Sequence, residues 1–270
     1  MPGTPASRRL CLLLDAGGTP CLVDALSVRQ VDHPDADGES VHGFLELRDV
    51  SALLGGAPEE RPGFAVVLDL PVGFALRVRS VRGVVDVGGA ELQRLPRGVS
   101  DAVARAARGA WVLGDQLVLE LDVPSLEGLP PQRERGLELA SPGAVDVVAP
   151  PGRALVFRAG GATWCIPLAQ VVQVVSGVRR FAPIPGRCAG LLEHAGAVWP
   201  VLTLEPRPPA PLPDGSSVVL VEDQGSPLGV VADEVLGIHD RFEPAERPGA
   251  WRLGSSAAEI QPLELARLFA

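Results

Sequence analysis

Two stretches of the chain decide its fold: residues 16–31 read AGGTPCLVDALSVRQV, and residues 159–174 read AGGATWCIPLAQVVQV. They align without a gap, at a constant difference of 143 in sequence number (159 − 16). A run of apolar residues precedes the Gly-Gly pair in each stretch, and a second run follows it. Because glycine accepts positive φ angles, Gly-Gly between two such runs predicts a tight β-hairpin turn. The same hairpin is therefore expected twice.

The similarity continues in the same order along the rest of the chain. Residues 45–47 match 202–204, 66–68 match 218–220, 76–84 match 230–238, 109–114 match 249–254, and 121–126 match 263–268. Ordered matches of this kind indicate an internal duplication. We predict two modules, residues 8–129 and 150–270, joined by a linker at 130–149 that is rich in Pro, Gly and charge. The offset rises from 143 to 157 between Val31 and Leu45, so the first copy is expected to lack the stretch that corresponds to Phe181–His194.

The local pattern of both copies is that of β-strands. Leu76–Arg79 and Leu119–Asp122 alternate apolar and polar residues, which predicts strands with one buried face and one face in solvent. The 31 Gly and 27 Pro exceed a fifth of the 270 residues, which favours short strands joined by many turns. Helices are expected to be scarce, with a short helix capped by Ser100–Asp101 that runs to Arg108 and a terminal helix at Pro262–Phe269 as the two candidates. The predicted fold class is mainly β with few short helices.

The second copy resembles the CheW-like domain family over nearly its whole length. Its first hairpin, its Pro-x-Pro segment at Pro183–Gly186, its strand at Gly196–Leu204 and its later strands at Leu228–Val235 follow the family's order. The first copy is similar more loosely, and the missing segment makes it a degenerate module. The resemblance implies that each module is a pair of small, interlocked five-stranded β-barrels of the SH3-like or OB-like type.

The resemblance also implies a function without catalysis and without a cofactor. Family members couple chemoreceptors to a CheA-type histidine kinase by binding the kinase regulatory domain and the receptor's cytoplasmic tip. A CheW-like scaffold outside the receptor array, for example in motility or polarity machinery, is the alternative. The family's Asn-Leu-Arg-Gly reads Glu193-His194-Ala195-Gly196 here, so the receptor contact made by the Arg is expected to be altered. The expected partner-binding residues are Ile184, Pro185, Leu191, Leu192, His194, Ala195 and Val198.

Charge and composition argue against several other classes of function. The net charge is −9, from 33 acidic and 24 basic residues, and every basic residue is Arg. Few cations and only 4% aromatic residues are unfavourable for binding nucleic acid or an anionic membrane surface. The absence of Lys excludes P-loop and Schiff-base chemistry. No apolar run approaches a membrane span, so we expect a cytoplasmic protein without membrane insertion, recruited to membrane-associated receptor arrays.

The residues that could carry other chemistry are few. The four cysteines are expected to be buried and reduced, with a Cys11–Cys21 disulfide across the first hairpin as the alternative. Four scattered histidines predict no metal site, and only His194 falls in the expected partner segment. Trp164 and Trp199 occur only in the second copy, where core packing and a partner surface both stay open. An enzyme or ligand-binding barrel is disfavoured because no set of titratable residues supports it.

Overall fold

The computed structural model describes residues 8–59, 63–69, 73–129, 152–185, 188–205, 210–223, 225–247, 249–253 and 258–268. The predicted linker at 130–149 lies outside these residues. The first half contains strands β1 (Leu10–Ala16), β2 (Thr19–Asp24), β3 (Val28–Asp32), β4 (Ser40–Val41), β5 (Leu45–Asp49), β6 (Phe64–Leu68), β7 (Phe74–Val78), β8 (Ser80–Asp86), β9 (Leu92–Gln93), β10 (Ala107–Leu113) and β11 (Gln116–Leu121). Its helices are α1 (Val50–Leu53), α2 (Asp101–Ala106) and α3 (Val123–Leu126).

The second half repeats this pattern. It contains β12 (Ala154–Ala159), β13 (Ala162–Pro167), β14 (Val171–Ser176), β15 (Phe181–Pro183), β16 (Cys188–His194), β17 (Ala197–Leu202), β18 (Ser217–Asp223), β19 (Ser226–Ala232), β20 (Glu234–His239), β21 (Glu243–Pro244), β22 (Trp251–Arg252), β23 (Ile260–Pro262) and helix α4 (Leu265–Leu268). Short 3₁₀ turns at Ala25–Ser27 and Leu168–Gln170 follow the first hairpin of each half. The mainly β fold class is confirmed.

Each half contributes two sheets. In the first half, sheet A has the order β8-β1-β2-β11-β10-β9 and sheet B the order β3-β6-β7-β5-β4. In the second half, sheet C has the order β20-β12-β13-β23-β22-β21 and sheet D the order β14-β18-β19-β17-β16-β15. Sheets A, C and D have six strands rather than the expected five, because β9 and β21 each add a short edge strand and β15 extends sheet D. Sheet B has five strands and, within its described residues, no counterpart of β15.

The strand registers confirm the duplication residue by residue. Cys11, Leu12 and Leu13 pair with Val85, Val84 and Gly83, just as Ala154, Leu155 and Val156 pair with His239, Ile238 and Gly237. The register then shifts at the same place in both copies, between Leu13 and Leu14 and between Val156 and Phe157. A β-bulge is a built feature of a sheet, so its recurrence at one position is difficult to explain by chance.

The same registers correct part of the sequence alignment. Leu47 pairs with Ala75 and Val201 with Gly229, which places β5 and β17 at an offset of 154 (201 − 47) rather than 157. The stretch that the first copy lacks before this strand is therefore shorter than the sequence alignment predicts. The residues that the first copy lacks correspond to β15 and to part of β16, because β4 is a two-residue strand where β16 has seven residues. The error arose because short apolar runs in a sequence rich in Val and Leu match in more than one register.

The turns and helices agree with the sequence pattern in most places. Gly17 and Gly18, and Gly160 and Gly161, have φ angles between +58° and +94° in the two-residue loops of the repeated hairpin. The Ser100 side chain caps α2 by accepting a hydrogen bond from the Val103 amide, as predicted. Helix α4 starts later than expected because Pro262 belongs to β23.

The solvent face predicted for β11 is wrong. Glu120 is only 2% exposed, and it lies on the face that packs inside sheet A beside Trp111. Both faces of β11 are covered, since Leu119 and Leu121 are buried on the other side. An alternating pattern shows which residues share a face of the strand. It does not show whether the polar face is exposed to solvent or covered by a second layer of structure.

The chain forms two compact units whose limits differ from the two sequence modules. The first unit holds the described residues of 8–129 and also those of Arg179–Trp199 and 210–211. The second unit holds the other described residues from 152 onward. Strands β15 and β16, which belong to the second copy in sequence, therefore belong to the first unit in space. The boundaries 8–129 and 150–270 therefore describe the predicted sequence repeat and do not describe the two compact units.

The four cysteines are buried and free, as expected, and the alternative disulfide does not form. Cys11 pairs opposite Asp24 and Cys21 opposite Leu14, so the two thiols do not face each other across the hairpin. Burial raises the pKa of Cys11 to about 11 and that of Cys165 to about 12. Burial also raises the pKa of Cys21.

These thiols should be unreactive in the folded chain. At pH 8 a thiol with a pKa near 11 is thiolate in roughly one molecule in a thousand, and burial blocks its access to reagent. We expect no rapid reaction of Cys11, Cys21 or Cys165 with Ellman's reagent at pH 8, and reaction of all four cysteines in guanidinium chloride. Rapid labelling of Cys11 without denaturant would contradict this assignment.

Candidate interaction surface

The residues expected to bind a partner lie on the β15–β16 hairpin and the start of β17. Five of them, Ile184, Pro185, Leu191, Leu192 and Val198, are buried. Leu191 is 0% exposed, and it ranks with Ile184 and Leu192 among the largest fully buried side chains of the protein. His194 is half-buried and Ala195 is exposed. Only these two of the seven expected residues reach the surface.

The hairpin is buried because it packs on sheet A. Strand β15 contacts β2 and β11, and β16 contacts β11. Gly56, which follows α1, lies so close to Pro185 that a Cβ at this glycine would come within 2.9 Å of the proline ring. The β2 and β11 residues Cys21 and Leu119, which pair with each other, are fully buried. The hairpin of the second copy thus packs in the first unit, on strands β2 and β11 of sheet A.

This arrangement corrects one expectation that follows from the sequence analysis. If the segment were an exposed binding element, replacement of Ile184 or Leu191 by Asp would weaken partner binding and leave the thermal transition nearly unchanged. A carboxylate at either position would instead be buried in an apolar core without a partner, so the transition itself must move. The hairpin's apolar side chains hold the first unit together and are not free for a separate partner.

The turn of the β16–β17 hairpin is the exposed end of this segment. Ala195 has a φ of +52° and Gly196 a φ of +80°, the pair of left-handed conformations that a two-residue turn requires. Glu193 braces the turn, since it accepts hydrogen bonds from the Gly196 amide at 2.9 Å and from Arg180 Nη1 at 2.7 Å. The turn therefore presents His194 and Ala195 on a fixed backbone.

Electrostatics favour the ionised form of the bracing carboxylate. Burial alone would raise the pKa of Glu193, but the hydrogen bonds from Arg180 and the Gly196 amide hold it below its usual value. A lowered pKa in the folded state contributes stability above the unfolded-state pKa. That contribution is present at neutral pH and is lost as the pH falls through the lowered pKa of Glu193.

A second exposed feature is repeated on the edge strands of sheets A and C. Val84 on β8 is 58% exposed, and Ile238, its equivalent on β20, is 51% exposed. The residue that forms the bulge in β20, Leu236, is also exposed. Alternation in these strands predicts outward-facing side chains, but nothing in their sequence distinguishes them from other residues that face solvent, and the expected partner surface lay only in the Pro183–Val198 segment.

The tryptophans divide into two groups. Trp111 and Trp251, at equivalent positions of β10 and β22, are buried in the cores of sheets A and C. Trp164 and Trp199 are half-buried. The Trp164 indole donates a hydrogen bond to the Ala159 carbonyl at 3.0 Å, which fixes its ring on the face of β13. Because Trp164 is half-buried, it is not packed entirely in the core.

The remaining polar residues form no reactive cluster within the described ranges. His33 is exposed with its ring 4.9 Å from that of Phe64, and His42 lies beside Gln30 and Asp32. The residues that the structure describes contain no group of His, Cys, Asp and Glu able to hold a metal ion. Among the same residues, no helix combines the length and apolar character needed to cross a membrane.

Comparison with known proteins gives a family match and likenesses to solved structures. Residues 153–252 match the family model of the CheW-like domain. The crystal structure of the scaffolding protein TtCheW from Thermoanaerobacter tengcongensis is similar at 20% identity and a TM-score of 0.37, over 44% of this chain and 92% of that chain. No curated protein matches the chain. The family match confirms a CheW-like domain in the second half, and the first half repeats its strand order.

Proposed function

We propose that this chain, which carries a CheW-like domain at residues 153–252, is a non-enzymatic chemosensory adaptor that couples chemoreceptors to a CheA-type histidine kinase. The observation that carries the proposal is the family match of the second half, supported by the same sheet order and the same bulge in the first half. In this role the chain acts in the cytoplasm and joins membrane-associated receptor arrays through protein–protein contacts alone.

The kinase side of the proposal rests on exposed strands of the second copy. Edge strands with unpaired backbone groups and outward apolar side chains bind partners by strand-edge and side-chain packing. Strand β20 has both properties, with Leu236 and Ile238 exposed on the edge of sheet C. A kinase regulatory domain that is itself CheW-like would present matching sheets.

The experiment that tests the proposal is a calorimetric titration of the full chain with the regulatory domain of the histidine kinase encoded in the same genome. The proposal expects saturable binding. Deletion of residues 150–270 is an unsuitable control, because it removes Arg179–Trp199 from the unit in which these residues pack. Point variants in the full chain are needed instead. Absence of binding would favour the alternative function, a CheW-like scaffold in an assembly other than the receptor array. The replacement of the family Arg by Ala195 also favours this alternative.

The receptor side of the proposal depends on the exposed turn. Ala195 already has a positive φ, so Arg at this position brings no backbone strain that Ala does not. Ala195→Arg should restore the family's cationic contact and strengthen binding to receptor signalling tips by roughly tenfold, the effect of one good charge-assisted hydrogen bond. Co-sedimentation with receptor assemblies measures this, and Ala195→Gln is the uncharged control. Equal binding by both variants and the wild type would contradict a receptor contact at this turn.

A further inference from the structure

Strand β8 forms an open edge of sheet A. It stands last in the order of the sheet, and among the described residues it pairs only with β1. Three of its side chains are exposed on one face, those of Arg82, Val84 and Asp86. Val84, which pairs with Leu12 of β1, is 58% exposed. An exposed edge strand with an apolar residue at its centre is a template for pairing with another chain.

The outward backbone groups of β8 can take part in such pairing. The Val87 amide donates a hydrogen bond to the Arg9 carbonyl at 2.8 Å, so the backbone of Val87 is turned toward β1. Successive residues of an antiparallel strand turn their N–H and C=O groups to opposite sides, so those of Val84 and Asp86 are turned away from β1. No described strand of sheet A lies on that side of β8.

The order of the exposed side chains on β8 is complementary to itself. If two β8 strands pair antiparallel with Val84 opposite Val84, Arg82 of each strand lies opposite Asp86 of the other. Opposite charges in facing positions stabilise an antiparallel pair and help to fix its register. Such a contact uses the same three residues on both sides, so it is isologous and has two-fold symmetry.

Both charged side chains are held in place and stay accessible. Arg82 Nη2 donates to Asp15 Oδ2 at 2.6 Å, and the Asp86 carboxylate accepts hydrogen bonds from the Gly88 amide at 2.8 Å and the Arg9 amide at 3.2 Å. The Arg82 side chain is nevertheless 46% exposed and that of Asp86 41%. Because these groups are already ordered, less conformational entropy is lost when they meet a partner.

The equivalent edge of sheet C lacks this charge pattern. Strand β20 pairs with β12 as β8 pairs with β1, and Ile238 is the counterpart of Val84. An antiparallel pair of two β20 strands centred on Ile238 would place Leu236 opposite Asp240, an apolar side chain facing a carboxylate. Both copies therefore have the apolar centre, but only the first has the self-complementary charges around it.

We propose that two copies of this chain form a dimer through strand β8, in an antiparallel pair centred on Val84 and flanked by two Arg82–Asp86 ion pairs between the copies. The register shift beside Arg82 ends the regular strand at that side, so the contact is short. Its two-fold symmetry closes the assembly at two chains. An interface of one short strand edge is small, so the dimer dissociates in the micromolar range. This surface is separate from the β20 edge that the proposed function gives to the kinase.

Sedimentation equilibrium of the full chain tests the proposal. The wild type should show a reversible equilibrium between monomer and dimer. Val84→Asp places two carboxylates at the two-fold axis and should weaken the dimer by roughly tenfold or more. Ile238→Asp is the matched control, because Ile238 is the exposed counterpart on β20, and it should leave the dimer unchanged. Thermal transitions of all variants verify that they fold.

A charge exchange tests the register. Arg82→Asp and Asp86→Arg should each weaken the dimer when studied alone, because like charges then face each other at both ends of the pair. An equimolar mixture of the two variants should dimerise again, because every facing pair then has opposite charges. Only a two-fold contact that places Arg82 opposite Asp86 predicts this recovery.

The possible results are distinct. A monomeric wild type, a dimer that Val84→Asp leaves intact, or one that Ile238→Asp weakens equally would overturn the β8 contact. Oligomers larger than the dimer, or a mixture of folded charge variants that stays monomeric, would overturn the two-fold register. Loss with Val84→Asp together with recovery in the mixture supports the inference. None of these results bears on the adaptor function, which is tested by binding of the kinase domain.

Discussion

Leu191→Asp is expected to destabilise the full chain by roughly 4 kcal/mol or more, the cost of burying an unpaired charge in place of a packed leucine. Leu191 is 0% exposed on β16 and belongs to the first unit. Its replacement should therefore loosen β2 and β11, which are distant from it in sequence but contact its hairpin. Urea unfolding measures the loss, and hydrogen exchange locates it.

Leu26→Asp is the matched control, because Leu26 is 90% exposed in the 3₁₀ turn after β2. The same chemical change there should alter the free energy of unfolding by less than about 0.5 kcal/mol. A Leu191→Asp variant as stable as Leu26→Asp would contradict the burial of the hairpin. A loss of amide protection limited to sheet D would contradict its packing on sheet A.

Glu120→Ala should cost roughly 3 kcal/mol, because it removes the acceptor of two short hydrogen bonds from a buried site. Trp111 Nε1 and Arg9 Nη2 each donate to this carboxylate at 2.6 Å. After the substitution the Trp111 indole N–H is left buried without an acceptor, whereas the partly exposed Arg9 can regain water. Glu120→Gln keeps an acceptor for the indole and should cost less.

The surface ion pair between Glu234 and Arg158 gives the comparison for this prediction. Their side chains approach to 2.7 Å, but both are more than half exposed. Glu234→Ala should therefore change stability by less than about 1 kcal/mol. Equal effects of Glu120→Ala and Glu234→Ala in urea unfolding would show that the buried carboxylate does not support Trp111. In sheet C the equivalent of Glu120 is Pro262, so this support belongs to the first copy alone.

The repeat and the fold class could be predicted because they depend on local chemistry. Gly-Gly between apolar runs specifies a two-residue turn wherever it occurs, and both copies have it. Ser100 at a helix start specifies a cap. Such signals need no knowledge of what lies above or below a sheet. The register of β5 was not recoverable, because short runs of Val and Leu align equally well at several neighbouring offsets.

The candidate surface was predicted less well, because burial of a hairpin depends on contacts distant in sequence. The Pro183–Val198 segment has the pattern of an exposed binding element, and alone it would expose Ile184 and Leu191. Sheet A of the other copy covers it, and no local signal in either segment encodes that contact. Conversely, the sequence distinguishes Trp164 only by its absence from the first copy.

Hydroxyl-radical footprinting of the full chain, alone and with the kinase regulatory domain, tests the account most directly because it reports side-chain accessibility. In the free chain Trp164 should be oxidised faster than the buried Trp111 and Trp251, and Leu191 and Leu192 should be protected already. Addition of the kinase domain should protect Leu236 and Ile238 on β20 and leave the two buried leucines unchanged. Oxidation of Leu191 in the free chain, or oxidation rates of Leu236 and Ile238 that the kinase domain does not alter, would contradict this assignment of the buried and exposed strands.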